Sequence, residues 1–104
     1  MTITVEFHGP IAIIILLGGI DYSSQEELRN GITKALSTEE VREIQVDFTK
    51  TSFLDSSAIR ALILLQKEAG SRGKSLVLLN CNEYMRDIFE IGGFDRMFTF
   101  RTTR

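Results

Sequence analysis

The segment Thr49-Lys50-Thr51-Ser52-Phe53-Leu54-Asp55-Ser56-Ser57-Ala58-Ile59-Arg60-Ala61 joins two patterns of different period. Before it, Ile44, Val46 and Phe48 alternate with other residues, the two-residue period of a half-buried strand over Glu43 to Phe48. After it, Ala58, Ile59, Leu62, Leu65 and Ala69 share one face of a helix, while Arg60, Leu64 and Lys67 fall on the other. Five residues of the segment carry hydroxyls, and Asp55, Ser56 and Ser57 stand where the helix should begin. A short polar side chain there can accept hydrogen bonds from the free N–H groups of the first turn. Those same N–H groups and the helix dipole favour a nearby negative charge, a phosphate included. Two roles are therefore open for this spot: a helix cap, and a hydroxyl that bears or binds phosphate.

Toward the N-terminus, Ile3, Val5 and Phe7 alternate with Thr2, Thr4 and Glu6, which predicts a half-buried strand over Met1 to His8. Gly9-Pro10 is turn chemistry, and the continuous run Ile11 to Leu17 predicts a strand buried on both faces and paired antiparallel with the first. His8 has no second ligand candidate beside it and is expected to be structural or exposed. After the Gly18-Gly19-Ile20-Asp21 turn, Ser23 and Glu26 have capping-box spacing. Leu28, Ile32, Ala35 and Leu36 then make one helical face, interrupted by Gly31 at a cost of about 1 kcal/mol relative to Ala.

Toward the C-terminus, Gly70-Ser71-Arg72-Gly73-Lys74-Ser75 contains the Gly-Lys-Ser end of a P-loop. The glycine required five positions earlier is Glu68, and the order is helix then strand, so the P-loop is rejected. These glycines end a helix, and a strand over Ser75 to Leu79 follows. Met85, Ile88 and Phe89 predict a third helix stopped by Gly92-Gly93, and a last short strand lies around Met97 to Phe100. Cys81 is expected to be a small buried residue, with no cationic sequence neighbour to activate it. Strands alternating with helices argue an α/β domain over residues 1–104. The expected form is a mostly parallel sheet of four to five strands, with an N-terminal β-hairpin and three helices packed on it.

Composition narrows the function classes. A net charge of −2 with dispersed Lys and Arg supplies no broad basic surface, so nucleic acid is not the expected partner. The basic pair Arg101 and Arg104 is expected to be solvated. One cysteine excludes an internal disulfide framework and fits a reducing, cytoplasmic setting. Met1 to Gly9 lacks the basic start of a signal peptide. Ile11 to Leu17 is far shorter than the ~20 residues a membrane span needs. No nucleophile is paired with a base, and neither a metal-ligand spacing nor a cofactor fingerprint is present, so a binding module is expected rather than an enzyme.

Asp55-Ser56-Ser57-Ala58-Ile59, preceded by Phe53-Leu54 and by a strand ending Val46-Asp47-Phe48, resembles the phosphorylation-site segment of the STAS domain family. It is most similar to that of the small bacterial anti-sigma factor antagonists. Gly19-Ile20-Asp21, Gly70 to Asn80 and Ile91-Gly92-Gly93-Phe94 resemble three further family segments in the same order and spacing. Ala58 and Ile59 replace the family's usual Gly-Leu, which should stiffen the helix start. Relatives often continue into a fourth helix, and without one some of the sheet edge or third helix is expected to be less covered.

The resemblance implies an anti-sigma factor antagonist switched by phosphorylation of Ser57, with Ser56 the alternative acceptor. It implies that Asp21 lies beside Ser57; with Asp55, Ser56 and Ser57, and with Arg60 and Leu64 on the second helix's other face, where an exposed leucine flanked by two cations can be an interface contact, it makes the expected partner-binding surface. The implied partners are an anti-sigma factor with a histidine-kinase-like ATPase fold, acting as serine kinase, and a PP2C-type phosphatase. The alternatives are a STAS subunit of a membrane anion- or lipid-transport complex, a stressosome-type scaffold, and a helix cap in an unrelated α/β fold.

Overall fold

The computed structural model describes residues 2–20 and 22–103. Asp21 and Arg104, two positions singled out from the sequence, lie outside the described residues. The sheet is assembled on the ten-residue strand β2 (Ile11–Ile20). The preceding strand β1 (Thr2–His8) folds back on it through Gly9, whose φ of +59° suits a residue without a side chain. The antiparallel register runs from Thr2 opposite Leu17 to His8 opposite Ile11.

On the other side of β2 lies β3 (Glu43–Asp47), parallel to it from Ile11 opposite Glu43 to Ile15 opposite Asp47. β5 (Ser75–Leu79) then pairs parallel with β3, and β6 (Thr99–Arg101) with β5. One further strand, β4 (Thr51–Leu54), leaves this row and pairs with the far end of β2. Among the described residues the sheet therefore has six strands instead of the four to five expected. β4 escapes the alternation test because only Thr51 and Leu54 turn inward, with exposed Ser52 and Phe53 between them.

Three helices follow the strands: α1 (Gln25–Ser37), α2 (Ser56–Ser71) and α3 (Glu83–Ile91). A single 3₁₀ turn, Tyr22–Ser24, leads into α1 and shifts its cap position to Ser24, one residue past the expected capping box. Buried residues of all three helices join one core with Ala12, Ile14, Leu16, Ile44, Val46, Leu76 and Leu78. The helices thus cover one face of the sheet. The expectation that β2 is buried on both faces is corrected accordingly: Ile11, Ile13, Ile15 and Leu17 point the other way and are half-buried. Gly31 has a packing reason, since a side chain there would press on the methyl groups of Ile3 and Val5, where α1 approaches β1. Lys74 donates to the carbonyls of Leu36 (2.9 Å) and Thr38 (2.8 Å), and so holds the end of α1 against the α2–β5 turn.

At the C-terminal end, Phe89 meets Phe98 and Phe100 edge to face at 5.4 and 5.6 Å. Cys81 is half-buried, and burial pushes its thiol up to about 12, which leaves it unreactive near neutral pH. His8 is exposed and faces Glu6 at 3.1 Å.

A polar knot closes the sheet end where β3 passes into β4. Asp47 Oδ1 accepts from the Thr49 amide (2.9 Å) and hydroxyl (2.6 Å) and from Asn80 Nδ2 (3.2 Å). Asn80, at a φ of +60°, also accepts from the Thr103 amide (2.9 Å). Burial raises the Asp47 carboxyl, but the Thr49 and Asn80 hydrogen bonds outweigh it and hold the group below its ordinary 3.8. With the folded value below the unfolded one, the carboxylate's contribution is present above about pH 3.8 and lost as pH falls through the lower folded value. Asp47→Asn is expected to cost about 1 kcal/mol at pH 7. Urea midpoints across pH should show the gap to the parent closing below pH 3.8; a gap that stays constant to pH 2 would show that the ionised carboxylate does not hold the knot.

Candidate partner-binding site

Three contacts fix β4 against β2. The Gly18 amide donates to the Lys50 carbonyl (2.9 Å), and the buried Thr51 hydroxyl donates to the Leu16 carbonyl (2.8 Å). At Gly19 a side chain would collide with the ring of Phe53, so glycine is what lets the ring lie against the strand. Leu54 then pairs with Ile20, and the next residue, Asp55, begins the turn into α2.

Asp55 is extended (φ −97°, ψ −179°) and occupies the N-cap position. Its Oδ1 accepts from the Ala58 amide (3.0 Å) and from the Ser57 hydroxyl (2.6 Å). The helix therefore starts at Ser56, two residues before the apolar pattern begins. The two serines are left in different states. Ser57 is half-buried and its hydroxyl is committed to Asp55. Ser56 is exposed, and its hydroxyl has no hydrogen-bond partner among the described residues.

Ser56, Arg60 and Leu64 follow each other at four-residue intervals and form one stripe along α2. The stripe is a ridge between two depressions, because all three residues line both. On one side is a groove of about 670 Å³ between α1 and α2, with Ile32, Leu36, Ala61 and Leu65 as its apolar walls and Arg29 reaching in from α1. On the other is a smaller hollow of about 320 Å³ lined by Ile59, Ile63 and Phe94. Leu64 is 57% exposed at the crest. An exposed leucine between two apolar hollows, one helical turn from Arg60, makes this ridge a candidate docking surface. Among the described residues no group of three or more His, Cys, Asp or Glu is placed to hold a metal ion.

Of the residues singled out from the sequence, the structure brings Ser56, Ser57, Arg60 and Leu64 to this groove, with Asp55 capping the helix beneath it. The fold carries the β2 end that precedes Asp21 alongside the β4 end that precedes Asp55. Sequence reasoning missed Phe53, 43% exposed beside the site, and Arg29 on the facing helix. The doubled glycine at 18 and 19 was the available signal for Phe53, since glycine in a strand marks a close approach. Arg29 has no local signal, because it joins the site only through helix packing.

The architecture is a hairpin-led, mostly parallel sheet with its helices on one face and an Asp-capped serine pair opening the second helix, which defines the class of domain. The STAS domain model matches residues 2–104, and the chain belongs to that family. A STAS-domain containing protein of Pseudomonas aeruginosa is 31% identical over 85 residues, 82% of each chain. BtrV of Bordetella bronchiseptica, named as an anti-sigma factor antagonist, is 24% identical over 104 residues, all of this chain and 89% of BtrV. Among solved structures, the anti-sigma factor antagonist SpoIIAA of Bacillus superimposes in its unphosphorylated form with a TM-score of 0.80 and in its phosphorylated form with 0.79. Both are 24% identical; 99% of this chain is covered, with 90% and 92% of the two SpoIIAA chains. The fold is that of the anti-sigma factor antagonists.

Substitutions should separate the Ala58 and Ser57 bonds of the cap. Asp55→Ala is expected to destabilise the domain by about 1–2 kcal/mol in urea unfolding, and Ser57→Ala by about half as much. Equal losses would mean that the Ala58 amide bond contributes nothing.

Proposed function

We propose that the protein is an anti-sigma factor antagonist that docks on an anti-sigma factor through the Ser56–Arg60–Leu64 ridge and is released by phosphorylation on that ridge. The family match over residues 2–104 supports the first part. The observation that carries the second is the free, exposed hydroxyl of Ser56 at the head of a ridge flanked by apolar hollows. SpoIIAA, which shares the fold, occurs in phosphorylated and unphosphorylated forms. The partner on this reading is a serine kinase of histidine-kinase-like ATPase fold, with a PP2C-type phosphatase reversing its action.

The geometry also bears on which serine accepts the phosphate. The family pattern pointed to Ser57, but modifying its hydroxyl requires breaking the 2.6 Å bond to Asp55 in a half-buried position. Ser56 is exposed and has no bond to break among the described residues. We therefore assign the acceptor role to Ser56 and a structural role in the cap to Ser57.

Phosphorylation adds about −1.5 to −2 charge. The first turn of α2 tolerates that charge, so the domain keeps its fold. A partner surface fitted to a neutral hydroxyl instead meets repulsion and a desolvation cost, and it dissociates.

Intact and fragment mass of the protein isolated from its own cells, under two growth conditions, tests this function. The expected result is one phosphoryl group on Ser56 whose occupancy changes with condition, abolished in Ser56→Ala and retained in Ser57→Ala. A chain unmodified in every condition would overturn the switch, and a phosphate confined to Ser57 would overturn the acceptor assignment.

A further inference from the structure

The α1–α2 groove holds two cations that pair with nothing among the described residues. Arg29 projects from α1 and Arg60 from α2, and both line the groove whose mouth carries Ser56. Neither takes part in an ion pair or hydrogen bond among the described residues. The third arginine of the groove, Arg72, is already committed: it faces Glu68 at 3.5 Å and donates to the Leu36 carbonyl at 3.2 Å. Among the described residues, Asp55 lies next to Ser56 in sequence with its Oδ1 engaged by Ala58 and Ser57, and Glu68 is the carboxylate that lines the groove.

We propose that Arg29 and Arg60 clamp a phosphate carried by Ser56, drawing the two helices' cations together across the mouth of the groove. The proposal rests on Ser56 as the acceptor. Arg60 follows Ser56 by four residues on one helix, so their Cβ atoms lie about 5–6 Å apart. That is within reach of a guanidinium meeting a phosphoserine oxygen, and guanidinium forks bind phosphate in paired hydrogen bonds. Arg29 closes from the facing wall.

The consequence is a change in the surface as well as in its charge. In the unmodified protein both arginines are free to meet a partner's carboxylates beside the apolar walls. Once Ser56 is phosphorylated, the same arginines turn inward to the phosphate. The partner then loses two cationic contacts and gains a barred groove, in addition to the repulsion.

The test installs phosphoserine at position 56 during translation, so that no kinase is needed, and titrates the phosphate by ³¹P NMR. Its second ionisation, ordinarily near pH 6, is expected to fall about half a unit lower in the parent than in Arg29→Gln or Arg60→Gln, and lower still relative to the double variant. The Arg29 and Arg60 Nε–H signals should shift on phosphorylation, whereas Arg72→Gln should leave the titration unchanged. A double variant that titrates with the parent, or arginine signals indifferent to the phosphate, would overturn the clamp. A phosphate found only elsewhere on the cellular protein would sink the functional assignment while leaving this titration's outcome as it stands.

Discussion

Gly19 has no side chain, and the ring of Phe53 takes up the space that one would need. That contact allows β4 to lie along the last residues of β2, with Leu54 opposite Ile20. The pairing decides where the chain turns, and hence where Asp55 stands when it caps α2. Everything presented on the ridge of α2 depends on this seam, because a helix start shifted by one residue rotates its side chains by about 100°. The polar knot of Asp47, Thr49 and Asn80 holds the other end of the same short strand.

The cap separates two neighbouring serines that look equivalent in sequence. Asp55 draws Ser57 into the fold and leaves Ser56 outside. One hydroxyl then contributes to stability and the other is available for chemistry. On the proposed function, a switch built in this way would need no rearrangement of the core, because the group to be modified lies at the surface of an element fixed from below. It would also keep the proposed charge change next to the hollows on either side of the ridge, where a partner docked there would feel it most.

Much of the architecture was legible in local pattern. The hairpin around Gly9-Pro10, the strand of Ile44, Val46 and Phe48, and the faces of α2 and α3 follow from period and turn chemistry alone. β4 was not legible, because four residues with two inward positions carry no periodic signal. The run Ile11 to Leu17 suggested burial on both faces, yet hydrophobicity cannot say that all three helices choose the same side. Of the candidate site, the Asp55-Ser56-Ser57 segment, Arg60 and Leu64 were visible, since they sit at one helix start and on its exposed face.

The sequence by itself determined the order of elements apart from β4, the family and the identity of the polar helix start, because each rests on neighbours within a few residues. Only the tertiary structure decided which serine is free and that Arg29 shares a groove with Arg60. It alone decided, too, that Phe53 must lie on Gly19. These outcomes depend on a hydrogen bond a few tenths of an ångström under 3 Å and on contacts between segments more than thirty residues apart. Local spacing carries no record of such distances; packing sets them when the sheet and helices close on their common core.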